Sequence, residues 1–346
     1  MTDVSSDAVA NAYWLRLFRE HFGSLRAGWF AEAMERGLDA DEAKRRADGA
    51  ESDFVAYLDR LDADPYAYGR LDILSICWAR EDALERAGID DAYAIPKRQE
   101  TEHAHALLPA LLAELDAMGD AERFAAIWRG VFAGNIFDLG ARETMAMFEA
   151  GDVDFDAVRA KLKPRPWRFD GFDALAERFD PDVHPPHRCA CLFVDNAGPD
   201  VVLGMLPLAR ELLRRGTGVI LTANARPSLN DVTHSELVVL LDRVAETDAL
   251  TREALADGRL EAVPSGNDAP LIDLSAVSPD LAAACERRGV DFVVLEGMGR
   301  AVESNFHAPL ACDTVKVCMI KDDGVSRELG AELFDLVLKF ERIERC

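Results

Sequence analysis

From residue 8 to about 150 the apolar positions recur every three or four residues. Tyr13, Trp14, Leu17, Phe18 and Leu25 form one stripe, Phe54, Tyr57, Leu58 and Leu61 a second, and Leu107, Leu108, Leu111, Leu112 and Leu115 a third. That period lays side chains along one face of an α-helix, so the stripes predict amphipathic helices whose apolar faces are core rather than a cofactor box. The breaks agree with this reading. The stretch 37–41 offers a capping aspartate, and Asp64-Pro65 and Ile95-Pro96 mark turns or boundaries. Between about 163 and 186 the prolines at 164, 166, 181, 185 and 186 flank a short periodic stretch around Phe172 and Leu175. Prolines at that density predict a linker wrapped over a surface.

After His187 the period changes. Apolar runs at 190–194, 219–221, 260–263, 292–295, 315–320 and 336–340 read as strands, with helical patterns at 201–215, 232–245 and 279–288 between several of them. Strands alternating with helices imply mainly parallel pairing through right-handed crossovers. The expected fold is therefore α/β, a mainly parallel sheet with helices on both faces, preceded by an all-helical N-terminal domain. The expected division is a helical domain over 1–163, a proline-rich linker over 164–186 and an α/β catalytic domain over 187–346.

Composition narrows the partners. The chain has 346 residues, 49% of them hydrophobic, enough for two packed units. A formal net charge of −24 repels phosphate backbones and anionic headgroups, which makes nucleic acid and membrane surfaces poor partners. The first residues carry no basic region and no apolar core, and no apolar run approaches the ~20 residues that span a bilayer, so a cytoplasmic protein is expected. The seven cysteines are scattered and odd in number, which favours reduced thiols. His184, His187, Cys189 and Cys191 fall close enough to suggest zinc, but Cys189 and Cys191 alternate along the first expected buried strand, where cysteine acts as a small hydrophobe.

The chemistry collects where apolar runs end. Asp195 and Asn196 follow the first run directly, at the carboxyl end of a strand, where open parallel sheets form their crevice. Their oxygens are hard ligands suited to magnesium or manganese; the same residues also suit an Asx turn. Asn224 follows the second run and Asp231 opens the next helix. They read either as turn residue and N-cap, or as a further oxygen and a second carboxylate delivered to the same crevice. Glu296, Gly297, Met298, Gly299 and Arg300 follow a further run, and the two glycines would let backbone amides approach an anion. This is neither a P-loop nor a dinucleotide fingerprint. Lys321, just past the run at 315–320, is either a surface lysine or a cation for a phosphate that the metal also contacts. His234 and His307 are lone histidines, more often structural than catalytic.

In this order the motifs resemble the DUF89 damage-control phosphatases. The resemblance rests on Phe-Val-Asp-Asn-Ala-Gly at 193–198, Leu-Gly at 203–204, Glu-Leu-Leu-Arg-Arg-Gly-Thr at 211–217, Ser-Leu-Asn-Asp at 228–231, Ser-Gly-Asn-Asp at 265–268, Ile-Asp-Leu-Ser at 272–275 and Glu-Gly-Met-Gly-Arg at 296–300. Upstream, residues 129–140 and 164–167 look like the same family's helical half. The nearest branch looks like the plant stand-alone proteins and the C-terminal domain of pantothenate kinase 4. The resemblance implies that Asp195, Asn196 and Asp231 hold a divalent cation (magnesium, manganese, cobalt or nickel) and that Lys321 binds the substrate phosphate. It also implies that Asn135 and Asp138 approach the same cleft and that residues 296–300 line the substrate pocket. The implied activity is hydrolysis of small phosphorylated metabolites, 4′-phosphopantetheine and its damaged forms or sugar phosphates. Two departures stand out: the chain carries no kinase domain, and Lys-Asp-Asp-Gly at 321–324 differs from what usually follows the lysine in this branch. The rival expectations are a carboxyl methyltransferase using S-adenosylmethionine, for which no glycine-rich turn follows the first strand, and a non-enzymatic interaction module.

Overall fold

The computed structural model describes residues 8–70, 72–136 and 155–343. Five long helices come first: α1 (Ala8–Glu35), α2 (Ala40–Ala63), α3 (Ile73–Arg86), α4 (Ala94–Ala117) and α5 (Asp120–Asn135). Asp39 caps α2, its carboxylate accepting from the Asp41 and Glu42 amides at 3.1 Å each. A short α6 (Phe155–Lys161) leads to β1 (Phe169–Asp170) and α7 (Phe172–Arg178). The remainder alternates: β2 (Cys189–Phe193), a π-helical turn (Asp200–Met205) running into α8 (Leu206–Arg214), β3 (Gly218–Ala223), α9 (His234–Thr247), α10 (Ala249–Ala256), β4 (Leu260–Pro264), α11 (Pro279–Arg288), β5 (Phe292–Glu296), a second π-helical turn (Met298–Glu303), β6 (Asp313–Met319), α12 (Asp323–Leu329) and β7 (Leu336–Glu341).

The strands form one sheet in the order β1-β7-β6-β5-β2-β3-β4. Every pair is parallel except β6 with β7. β2, β3, β5 and β6 are buried along their whole length, which explains why they read as unbroken apolar runs rather than alternating ones. From β2 the chain moves outward through β3 and β4, then returns to the other side of β2 with β5 and β6. The strand order therefore reverses between β2 and β5, and the loops leaving those two strands part to open a crevice.

The helical half divides its packing. α4 and α5 share one core with β2, β3, β5 and α8, and Trp128 and Phe132 of α5 are fully buried there. Among the described residues, α1, α2 and α3 form a separate apolar cluster that includes Ala269, Leu271 and the partly buried Leu229 of the sheet domain, in the loops beyond β3 and β4. These three helices thus sit against the loops at the strand ends. The proline-rich stretch contributes structure of its own. Phe169 and Asp170 pair with Val337 and Leu338, and Trp167, Phe172, Leu175 and Phe179 enter the main core. A hydrophobic sequence stretch this short gives too few periods to reveal a two-residue strand.

Candidate active site

At the point of reversal, Glu296 ends β5 with its side chain wholly buried. Its Oε2 accepts the backbone N–H of Asp195 at 3.0 Å, and its Oε1 accepts Nδ2 of Asn135 at 2.6 Å. One carboxylate therefore joins the loop after β2 to the last residue of α5. Asn135 completes the link, because its Oδ1 accepts the Met319 N–H at 3.0 Å and its backbone carbonyl accepts Nζ of Lys321 at 2.6 Å. Burying a charged group is costly unless hydrogen bonds compensate, and Glu296 and Lys321 both make them.

The loop after β2 is pinned in the same way. Asn196 donates through Nδ2 to Asp195 at 3.2 Å and to Asp200 Oδ2 at 2.8 Å, and it forms an isolated antiparallel bridge with Asp231. That bridge brings the Asp231 loop beside Asp195. Asn224 donates to Asp231 Oδ2 at 2.9 Å and to the Ala269 carbonyl at 2.9 Å, while its own Oδ1 accepts from Ser265 at 3.1 Å. The guanidinium of Arg300 spans both aspartates, donating through Nη1 to Asp195 Oδ1 and through Nη2 to Asp231 Oδ2 at 2.7 Å.

Three carboxylates, those of Asp195, Asp200 and Glu296, place one oxygen each within 4.8 Å of one another, all buried. Burial pushes the Asp200 carboxyl up to about 6, against the opposing pull of its Asn196 hydrogen bonds and the Lys321 charge. Among the described residues, Asp200 Oδ1 is buried with no hydrogen-bond partner. An orphaned carboxylate oxygen beside two more carboxylates is a donor set that fits a hard divalent cation.

Above the cluster lies a cavity of about 190 Å³. Asp195, Asn196, Asp231, Met298, Gly299 and Lys321 line its polar end. Tyr13, Trp14, Leu17 and Phe18 of α1, with Ile73 and Cys77 of α3 and Leu271, add apolar lining, interspersed on α1 with Arg16, Glu20 and His21. Arg80 of α3 also reaches this cavity, buried, with its guanidinium on Glu81 and Ser228. The Tyr13 hydroxyl donates to Asp322, beside Lys321.

The chain matches the model of the damage-control phosphatase ARMT1-like domain over residues 30–337. It belongs to this family. Curated relatives include a pantothenate kinase 2 of Arabidopsis thaliana, 41% identical over 97% of this chain but only 40% of that protein, and a mouse 4′-phosphopantetheine phosphatase, 33% identical over 98% of this chain and 46% of its own length. This chain thus spans less than half of those relatives. A damage-control phosphatase of Arabidopsis thaliana is 35% identical over 96% of this chain and 88% of its own length. Among solved structures, a DUF89 family protein of Pyrococcus horikoshii superposes with a TM-score of 0.62 at 16% identity, covering 92% of this chain and 97% of the other, which shows a shared fold.

Within this damage-control phosphatase domain, Asp195, Asn196, Asp231, Glu296, Arg300, Lys321 and Asn135 converge. Asp138 lies outside the described residues. Asn224 is wholly buried behind Asp231 and orients that carboxylate rather than lining the cavity. The glycines at 297 and 299 serve a different need from the expected anion cradle. The Gly297 N–H already donates to the Val317 carbonyl at 3.1 Å, and a Cβ there would lie 2.1 Å from Asp195 Oδ2. A Cβ on Gly299 would lie 2.6 Å from the Pro270 carbonyl. Both glycines let backbone and carboxylate pack at close range.

His187 is not a zinc ligand in this arrangement. It bonds Asp313 at 2.9 Å and stacks on Phe292, and Cys189 and Cys191 sit in β2. His234 meets the Ala262 carbonyl at 3.3 Å, and neither it nor His307 lines the cavity. Sequence reasoning missed Asp200, whose position five residues after Asp195 at a helix start looks like an ordinary cap. It also missed the cavity role of the α1 stripe. Of that stripe only Phe18 and Leu25 are buried, joined by Leu15 and Phe22 outside it, while Tyr13, Trp14 and Leu17 are half-buried and, with Phe18, line the cavity.

Proposed function

We propose that this chain hydrolyses small phosphomonoesters with the help of one divalent cation. Asp195, Asn196 and Asp231 would hold the cation, with Asp200 and Glu296 supporting the cluster. When bound, that cation supplies Lewis-acid polarisation of the phosphoryl group. The protein's own contribution is positional. Lys321 offsets charge on the phosphoryl oxygens, Glu296 and Asn135 fix the loop that carries Asp195, and the Asn224 amide fixes Asp231. The observation that carries this reading is the buried cluster of Asp195, Asp200 and Glu296 at the strand-order reversal, opening into a cavity that Lys321 also lines.

Tyr13, Trp14, Leu17 and Phe18 line the same cavity as the carboxylates, which suits a phosphate ester with an extended, largely uncharged leaving group. The named substrate of the mouse relative, 4′-phosphopantetheine, has that character, and we propose it and its damaged forms ahead of sugar phosphates. The net charge of −24 argues against polyanionic partners, and among the described residues no helix is long and apolar enough to cross a membrane. The buried cysteine thiols suit a reducing compartment, and we propose the cytoplasm.

The test is phosphate release from 4′-phosphopantetheine, sugar phosphates and nucleotides, with magnesium, manganese, cobalt or nickel and without S-adenosylmethionine. Cation-dependent release that falls to background in Asp195→Ala and Asp231→Ala is expected. Methyl transfer without phosphate release, or undiminished release from both folded variants, would refute the assignment.

A further inference from the structure

Arg300 is 1% exposed and holds two carboxylates at once, Asp195 Oδ1 and Asp231 Oδ2, in a fork that matches them in geometry and charge. Those are the carboxylates that the proposed function assigns to a cation. The guanidinium already occupies one oxygen of each carboxylate and would repel a second positive charge placed between them, so the two positive species compete. We propose that Arg300 is an exchangeable internal counter-ion: it holds Asp195 and Asp231 together without a cation, and must release them for a cation to bind. The inference rests on the proposed cation site.

Local structure permits the exchange. Arg300 sits in the π-helical turn Met298–Glu303, a helical form with looser hydrogen bonding than an α-helix, directly after Gly297 and Gly299. Its backbone is anchored independently of its side chain, since its carbonyl accepts from Asn305 at 2.9 Å and Ser304 at 3.3 Å. The cavity lined by Met298, Gly299, Asp195 and Asp231 gives the released side chain somewhere to go.

Release has a second consequence. A guanidinium withdrawn from two carboxylates in a buried site needs a new acceptor, because an unpaired buried charge is strongly destabilising. Phosphoryl oxygens accept the same fork. Cation and phosphate should therefore favour each other's binding through Arg300, beyond any direct contact between them, as two ligands that select the same arrangement of one side chain.

The experiment uses the full chain, stripped of metal, with calorimetric titration of manganese in the absence and presence of saturating inorganic phosphate. If the guanidinium closes the site about nine-tenths of the time, its removal raises cation affinity about tenfold. Arg300→Gln should thus bind manganese about tenfold more tightly than wild type without phosphate, and phosphate should improve wild-type affinity about tenfold more than it improves the variant's. The metal-free variant should also melt below metal-free wild type, with the gap narrowing when manganese is added. Should Arg300→Gln fail to fold, Arg300→Lys serves instead: the ammonium lacks the planar fork that matches two carboxylates and holds them less firmly, and tighter manganese binding than wild type is expected. Manganese affinity that is unchanged or weaker in the folded variant, or an equal phosphate effect in both proteins, overturns the inference. Absence of any manganese binding in wild type sinks the proposed cation site itself, whereas binding indifferent to Arg300 sinks only this inference.

Discussion

Replacing Gly297 with alanine tests how the site is held together. Gly297 has φ +97° and ψ 149°, a region open essentially to glycine alone, so a side chain there costs about 1–3 kcal/mol in backbone strain. Sterics add a second cost. The added Cβ would stand 2.1 Å from Asp195 Oδ2 and 2.4 Å from its Cγ. Carbon atoms rest about 3.5–4.0 Å apart, so the carboxylate must retreat by about 1 Å or more. A displacement of that size at a reacting centre lowers rate by about 10²-fold. The assay is kcat/KM for phosphate release beside urea denaturation of Gly297→Ala and of the same change in an Asp195→Ala background. With the carboxylate gone, the two closest contacts disappear and the 3.0 Å contact to the residue's Cβ remains, so the stability cost of the alanine should shrink toward the strain alone. An equal cost in both backgrounds, or wild-type efficiency in Gly297→Ala, would refute the reasoning.

The other expectations concern a cation and a buried acid. Lys321→Ala should lower kcat/KM by about 10²–10³-fold while manganese affinity without substrate stays nearly unchanged; parallel loss of both would assign the lysine to scaffolding of Asn135. Burial pushes the Glu100 carboxyl on α4 from an ordinary 4.5 up to about 7, so the folded chain binds this proton more tightly than the unfolded one; the associated stability is present below about 4.5 and lost as pH rises through about 7. Glu100→Gln should therefore stabilise the protein by up to about 3 kcal/mol at pH 8 and hardly at all at pH 4, and denaturant midpoints that shift equally at both pH values would count against it.

What the sequence determined by itself is whatever local periodicity encodes. The switch from a three-to-four-residue period to unbroken apolar runs after His187 places the strands, because a buried parallel strand and an amphipathic helix demand different spacings of the same residue types. Asp195, Glu296 and Lys321 were visible for a related reason: a polar residue at the abrupt end of a buried run marks a strand's carboxyl edge. Tertiary structure decided which of those edges meet. Arg300 reaches across 105 positions to Asp195, and Asn135 across 161 to Glu296, separations over which no local pattern carries information. It also turned Asn224 inward to Asp231 and gave Asp200 a place in the carboxylate cluster. Likewise it set α4 and α5 against the sheet while α1 presents Tyr13, Trp14 and Leu17 to the cavity. An apolar stripe states only that a helix face needs covering; which surface covers it depends on the sheet order, and that order is fixed by packing many distant segments at once.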